Sequence, residues 1–290
     1  METTFNSRIR VKEIALACGA SAAGIAAAGE LEEFKRFSLA VSAYPQGLSY
    51  LRRSGLKRHS LKNWNVDAAS ALVCAFRYWE PAMDHAAALK AAGDPAAFLA
   101  GSGRRITQPE LLSLPGAKIS RYALSRDYHL AVKEKLSAML TGIKQELPGV
   151  EGVIFCDTSP VLEKELARLA GIGFRGRNTL VMSGELGSYF FIGGIALDIG
   201  LEPDKPAAGS CGECRLCEAA CPTGALNGGA LDAGRCLSYW TTQSKEKIPA
   251  ELAAKTGGFA YGCDLCQEAC PHNKPPGWLA PGFETIKPIK

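Results

Sequence analysis

Cys211-Gly212-Glu213-Cys214-Arg215-Leu216-Cys217-Glu218-Ala219-Ala220-Cys221-Pro222 spaces four cysteines as C-x2-C-x2-C-x3-C and closes on proline. Two-residue gaps let successive thiolates curl around the corners of one iron–sulfur cubane. The fourth cysteine, held off by the turn into a helix, reaches a second cubane. Further along, Cys266-Gln267-Glu268-Ala269-Cys270-Pro271 echoes Cys217-Glu218-Ala219-Ala220-Cys221-Pro222, and with Cys263 it forms a second run one cysteine short. The isolated Cys236 makes up the number. Four ligands per cluster then assign Cys211, Cys214, Cys217 and Cys270 to one [4Fe-4S] cluster, and Cys221, Cys236, Cys263 and Cys266 to the other. Each cluster borrows a ligand across the pair.

Zinc is the alternative use of such cysteines, since C-x2-C pairs build four-thiolate sites and eight thiols can hold two ions. A third cysteine at x2 in one run, and the Cys-Pro endings, favour the clusters, because both belong to the ferredoxin pattern. A disulfide framework suits oxidising compartments and small domains that cannot build a core. Here the sequence has 290 residues, 47% hydrophobic and 21% charged, which is enough for a sizeable core. Of its 11 cysteines only Cys18, Cys74 and Cys156 fall before residue 211, in apolar surroundings that suit small buried side chains. The net charge of +4 lies in the first 210 residues, because Cys211 to Lys290 balances eight basic against eight acidic residues. So mild an excess does not by itself announce a polyanion-binding surface.

No apolar run reaches the roughly 18 residues that a membrane-spanning helix needs. The strongest, Tyr189 to Gly200, is short and carries Asp198. At the N-terminus an Ala- and Gly-rich stretch follows Arg8, Arg10 and Lys12, the outline of a secretory signal. Glu13 interrupts it, however, and Ala20 to Ala28 is too small-residue-rich to be strongly hydrophobic. A helix over about Ser7 to Cys18, ended by Gly19 and followed by a strand near Ala22 to Ala26, is expected instead. The protein is then expected to be cytoplasmic and monomeric.

The first 210 residues alternate strand-like and helix-like patterns. Ala71 to Tyr78 and Gly152 to Phe155 read as buried strands, and Tyr189 to Ile199 as a longer one broken by Gly193 and Gly194. His129 to Glu146 has helical spacing of Leu130, Val132, Leu136, Met139, Leu140 and Ile143, closed by Pro148 and Gly149. Pro81 to Arg105 reads as a partly helical surface excursion. Leu201 to Ser210, with two prolines and a glycine, reads as a linker. The expected architecture is an α+β (α/β-like) domain over residues 1–205, followed by a two-cluster ferredoxin-like module over 206–290.

Several segments resemble the successive motifs of the epoxyqueuosine reductase family. They are Ile119 to His129 (ISRYALSRDYH), Asp157 to Glu163 (DTSPVLE), Gly171 to Asn178 (GIGFRGRN), Gly187 to Phe191 (GSYFF), Arg235 to Tyr239 (RCLSY), Tyr261 to Cys266 (YGCDLC) and Cys270 to Asn273 (CPHN). The similarity covers about Ser7 to Lys274. It implies a cobalamin-dependent enzyme, related in its core to corrinoid reductive dehalogenases, that reduces the epoxide of epoxyqueuosine in a tRNA anticodon loop to the alkene of queuosine. It also implies an external low-potential electron donor. The family's proton donor corresponds to Asp157, with Asp127 as a rival. Corrin contacts correspond to Ser120, Arg121, Asp157, Val181, Ile192, Ser238, Asp264 and Leu265. Helix capping is the plainer role for both acids. Ser159 and Pro160 read as N-cap and first residue of a helix through Leu162 and Leu166, and Asp127 as an acid at a helix N-terminus. A helix N-terminus stabilises the carboxylate of Asp157, so burial would have to prevail for it to hold a proton. His129 is expected to be structural.

The sequence departs from the family at Leu124-Ser125 (commonly Arg-Gly), Phe174-Arg175 (Trp-Ile) and His272 (Trp). Longer members continue past the clusters into a basic helical-repeat region, whereas this sequence runs twenty residues past Cys270, which reads as a short form. Arg52, Arg53, Lys57, Arg58 and Lys62 make a basic stretch that can meet phosphates or simply face solvent. Three functions are compatible with these residues: a short epoxyqueuosine reductase, a corrinoid iron–sulfur reductase for another small substrate, and a cluster-bearing electron carrier. The long front half argues against the carrier, which needs only the part from Cys211 onward.

Overall fold

A computed structural model describes residues 2–80, 83–273 and 280–281. Four strands, β1 (Ala22–Ala27), β2 (Ser70–Arg77), β3 (Gly152–Phe155) and β4 (Phe190–Leu197), form one antiparallel sheet in the order β1-β2-β4-β3. All eight residues of β2, SALVCAFR, are buried, which places that strand at the centre. Its alternation divides the core. Leu72, Cys74 and Phe76 join the face covered by α1 (Glu2–Ala17) and α2 (Tyr128–Glu146). Ala71, Val73 and Ala75 join the face covered by α3 (Glu163–Leu169). Cys74 and Cys156 are fully buried, as expected of small apolar side chains.

Gly193 and Gly194 do not break their strand: β4 pairs with β2 without interruption from Phe190 to Leu197. They are there because neighbours come too close for a side chain. A Cβ on Gly193 would lie 2.7 Å from Val132 Cγ1, and one on Gly194 would lie 2.3 Å from the Leu72 carbonyl oxygen and 2.4 Å from Phe155 Cζ. Backbone cannot yield as a flexible side chain can. Gly194→Ala is therefore expected to cost about 1–3 kcal/mol, the usual range for overpacking. Urea unfolding of the variant against wild type checks this.

The predicted helices are present with shifted ends. α1 stops at Ala17, and Gly19 turns the chain at φ +93° into β1. In α2 the buried set is Ala131, Val132, Leu136, Met139 and Ile143, whereas Leu130 is 56% exposed. The Pro81–Arg105 excursion contains helices His85–Ala92 and Pro95–Gly101, capped by the Asp84 and Asp94 side chains. Leu99, on the second of these helices, is fully buried, so this segment adds to the core. The cap expected at Ser159 does not form. α3 begins three residues after Pro160, with Leu162 at its N-cap.

The Leu201–Ser210 stretch has no regular secondary structure but is stitched to the edge strand β1. Asp204 N–H donates to the Ile25 carbonyl at 2.9 Å, and the Asp204 carboxylate accepts from Ile25 N–H at 2.8 Å and from Lys12 Nζ at 3.0 Å. Beyond it, Phe259–Tyr261 pairs in parallel with Lys118–Ile119. Leu237, Ile248, Leu252 and Tyr261 share one apolar cluster with Leu111, Leu112 and Ile119. The main core therefore runs across residue 205. No helix among the described residues is long and apolar enough to cross a membrane.

Candidate active site and cluster cysteines

Two short helices, Leu216–Ala219 and Leu265–Glu268, carry the echoed cysteine runs and pack against each other. Cys211, Cys214, Cys217 and Cys270 surround a small cavity of about 20 Å³ with Arg177, Met182 and Pro271. Arg177 N–H points to Cys211 Sγ at 3.3 Å, and Cys270 Sγ lies 3.8 Å from Met182 Sδ. Cys221, Cys236, Cys263 and Cys266 line a second cavity of about 600 Å³. The eight thiols thus separate into the two quartets expected from spacing. Among the described residues no three His, Cys, Asp or Glu side chains close on a single ion position. Burial pushes the Cys263 thiol up to about 12, so its thiolate needs the compensating charge of a bound centre.

The lining of the same cavity also includes the acid site. Past β3 the chain turns sharply at Asp157, whose φ is +52°. Asp157 and Thr179, both on this wall, are the described non-glycine residues with positive φ. Strained backbone of this kind persists where the surroundings over-determine it, as they do at functional sites. The first turn of α2 faces Asp157. His129 Nε2 lies 3.1 Å from Asp157 Oδ2, and His129 Nδ1 lies 2.8 Å from Asp127 Oδ1. Tyr128 stacks on both the Phe191 and the His129 rings, with centroids 4.3 and 4.0 Å away, and its hydroxyl helps to hold the Asp157 carboxyl down.

A carboxylate on each ring nitrogen makes both of them donors, which is the imidazolium form. Accordingly the His129 pKa is raised, chiefly by its bond to Asp157. Burial pushes the Asp157 pKa up, but the His129 and Tyr128 bonds outweigh it, and the carboxyl is held below its ordinary range. Burial therefore does not prevail at Asp157, and the neighbouring proton sits on the imidazole. His129 links Asp127 to Asp157. Asp127 also caps α2, accepting from His129 N–H at 2.9 Å. Sequence reasoning passed over Glu163, the last residue of the Asp157 motif. Its carboxylate accepts from Asp157 N–H, and burial together with the Asp157 charge pushes it up to about 8.

Of the expected corrin contacts, Ser120, Asp157, Val181, Ile192, Ser238 and Leu265 line the 600 Å³ cavity. Arg121 and Asp264 do not. Asp264, 1% exposed, stands behind the wall and accepts from Ser120 Oγ, from Arg121 N–H at 2.8 Å and from Arg121 Nη1 at 3.1 Å. This pair orients Ser120 and ties the Asp264-Leu265 turn to the front half of the chain. Asn273 of the last motif has a similar duty. It donates to the Gln267 carbonyl at 2.8 Å and accepts from Ser188 N–H at 2.6 Å, close against Gly187. The cavity shares Asp157, Glu163, Lys164 and Thr179 with an outer groove of about 1510 Å³, where Arg36, Arg53, Lys57, Arg58 and Arg175 also stand. Arg52, by contrast, donates to the Val41 and Tyr44 carbonyls at 3.1 Å, and Lys62 is outside the groove wall.

Two cysteine quartets, one of them lining a cavity that Asp157 also lines, define an iron–sulfur protein. Residues 210–273 match the 4Fe-4S double cluster binding domain, and residues 58–158 match Epoxyqueuosine reductase QueG, DUF1730. Over these segments the chain is similar to epoxyqueuosine reductases. It is 41% identical over 156 residues to the epoxyqueuosine reductase of Leadbetterella byssophila, covering 54% of this chain and 52% of that protein. The structure of epoxyqueuosine reductase from Bacillus subtilis, with an aspartate-bearing catalytic loop swung out of the active site, superposes with a TM-score of 0.75 at 27% identity, covering 98% of this chain and 70% of that one. A crystal structure of epoxyqueuosine reductase with an epoxyqueuosine-modified tRNA-Tyr stem loop gives a TM-score of 0.75 at 26% identity, with the same coverage. The chain spans about half the length of the curated relatives it matches.

Proposed function

We propose that this chain is a cobalamin-dependent iron–sulfur reductase that converts the epoxide of epoxyqueuosine in tRNA to the alkene of queuosine. The observation that carries the reading is that Asp157, bonded to His129, lines the same cavity as Cys221, Cys236, Cys263 and Cys266. That wall also fits a large, mostly apolar ring system. Val181, Ile192, Phe190 and Leu237 offer apolar surface, and Ser120, Ser238 and Asn178 add a few polar groups, the composition typical of cofactor sites. Ser120, Val181, Ile192, Ser238 and Leu265 would hold the cofactor, which would supply a low-valent cobalt centre able to take up electrons singly and engage the substrate carbon.

The remaining chemistry falls to the chain's own residues. Residues 206–290 carry the cluster ligands, and residues 1–205 supply the acid site and most of the apolar wall. Electrons enter from an external low-potential donor. Breaking the epoxide C–O bond leaves an alkoxide too basic to persist at neutral pH, and Asp157, recharged from His129, would give it a proton. The outer groove, with Arg53, Lys57, Arg58 and Arg175 on its wall, supports a phosphate-bearing substrate. The relative determined with a tRNA stem loop supports the same substrate class.

The test is anaerobic reconstitution with iron, sulfide and cobalamin, followed by EPR and an assay on epoxyqueuosine-containing tRNA. A cobalamin signal and queuosine product are expected. Cluster signals without cobalamin would turn the reading toward an electron carrier, and cobalamin binding without product would turn it toward another substrate.

A further inference from the structure

The proposed reaction needs more protons than the Asp157–His129 pair holds. Converting an oxirane to an alkene breaks two C–O bonds, forms one C=C bond and releases the oxygen as water. It consumes two electrons, delivered through the clusters from the external donor, and two protons. The first C–O cleavage leaves an alkoxide that takes one proton. The second requires the resulting hydroxyl to leave as water, and this takes the other. A deprotonated Asp157 cannot supply both.

Glu163 is placed to supply the second. It is the first residue of α3 and stands on the wall shared by the inner cavity and the outer groove, as Asp157 does. One of its oxygens accepts the Asp157 N–H. None of the ion pairs among the described residues involves Glu163. The cations nearby are engaged elsewhere: Lys164 Nζ donates to the Thr179 carbonyl at 3.1 Å, and Arg58 Nη1 donates to the Ser54 carbonyl at 3.3 Å. The groups that face it are Asp157 and Cys156 from the end of β3, Lys164 from α3 and Arg58 from the segment before β2; Tyr50 and His129 act on it only through Asp157. Burial and the adjacent Asp157 carboxylate favour the neutral acid and outweigh the pull of Lys164 and Arg58. Pairs of titratable groups pushed apart in this way mark acid and base assignments.

Resting on the reductase reading above, we propose that Glu163 is the second acid of this site, giving the proton that lets the epoxide oxygen depart as water. The second oxygen of its carboxyl, not used by Asp157 N–H, carries that proton. Its neutral form persists to about pH 8.

Glu163→Gln in the cluster- and cobalamin-loaded protein tests this, because it keeps shape and neutrality but has no proton to give. A fall in kcat of about 10²-fold or more is expected, with KM for epoxyqueuosine-tRNA within about twofold of wild type. The wild-type rate should decline above about pH 8, and the variant should lack that limb. A second readout is independent of turnover. An acid whose pKa rises on folding from 4.5 to about 8 destabilises the fold progressively as pH rises through that interval, because only the unfolded chain releases the proton there. The Tm of the Glu163→Gln protein relative to wild type should therefore climb across the same interval. An active wild type with an equally active variant, or a Tm difference independent of pH, overturns the role of Glu163 and leaves the reductase reading intact. A loaded wild type that does not reduce the epoxide overturns that reading and this proposal together.

Discussion

Asp157→Asn is expected to lower kcat by about 10²- to 10⁴-fold, the range that a positioned general acid contributes, while both clusters and cobalamin remain bound. The amide has the same shape, so the turn after β3 is kept. What disappears is the charge that holds the proton on His129. The bond to Asp157 is the largest influence raising the His129 pKa, so the imidazole of the variant should titrate at lower pH than in the wild type. The negative charge of Asp157 also raises Glu163, so the alkaline limb of any residual activity should move to lower pH. Stability should change little. The Asp157 side chain is 56% exposed, and exposed ion pairs contribute only about 0–1 kcal/mol. Rate, iron and cobalamin content, and the pH profile measured on one preparation check all of this. Wild-type turnover in the variant would remove Asp157 from the proton path.

Cys236→Ala is expected to halve the iron content, from about eight to about four atoms per chain, and to abolish turnover. Cys236 stands alone in sequence, fifteen residues after Cys221, and it could be mistaken for a buried apolar thiol. In the fold it joins Cys221, Cys263 and Cys266 on the wall that also carries Asp157. Without it that cluster lacks a fourth protein ligand, and electrons have no route from the other quartet to the cavity. The Cys211, Cys214, Cys217 and Cys270 set shares no ligand with it, so one set of cluster signals should survive. Iron analysis and low-temperature EPR of the dithionite-reduced protein decide. Eight irons in the variant would assign the fourth ligand elsewhere.

The cluster half was legible because cubane ligation is written in short spacings. Two-residue gaps and a following proline constrain the backbone so closely that Cys211, Cys214, Cys217 and Cys221 need little tertiary information, and counting ligands was enough to pair Cys270 with the first three. The alternation of Ala71 to Tyr78 likewise announced a buried strand. Gly193 and Gly194 were misread, because a glycine that interrupts a strand and one that admits a close neighbour look the same in sequence. Only the packing of Val132, Leu72 and Phe155 tells them apart. The Ser159-Pro160 pair was misread as a cap because local capping preference was outweighed by the turn at Asp157.

The proton chemistry was the least legible part. Asp157 was picked out by its motif, but its charge state depends on His129 and Tyr128, nearly thirty residues earlier in sequence. The high pKa of Glu163 depends on burial and on the adjacent Asp157 carboxylate, which together outweigh Lys164 and Arg58. The sequence by itself picked out the two cysteine quartets that the fold brings together, the central strand and the Asp157 motif, because covalent spacing and side-chain alternation are local properties. Only the tertiary structure decided which groups hold protons and which expected contacts stand behind the wall. Electrostatic shifts depend on distance and burial between segments that the chain brings together only on folding.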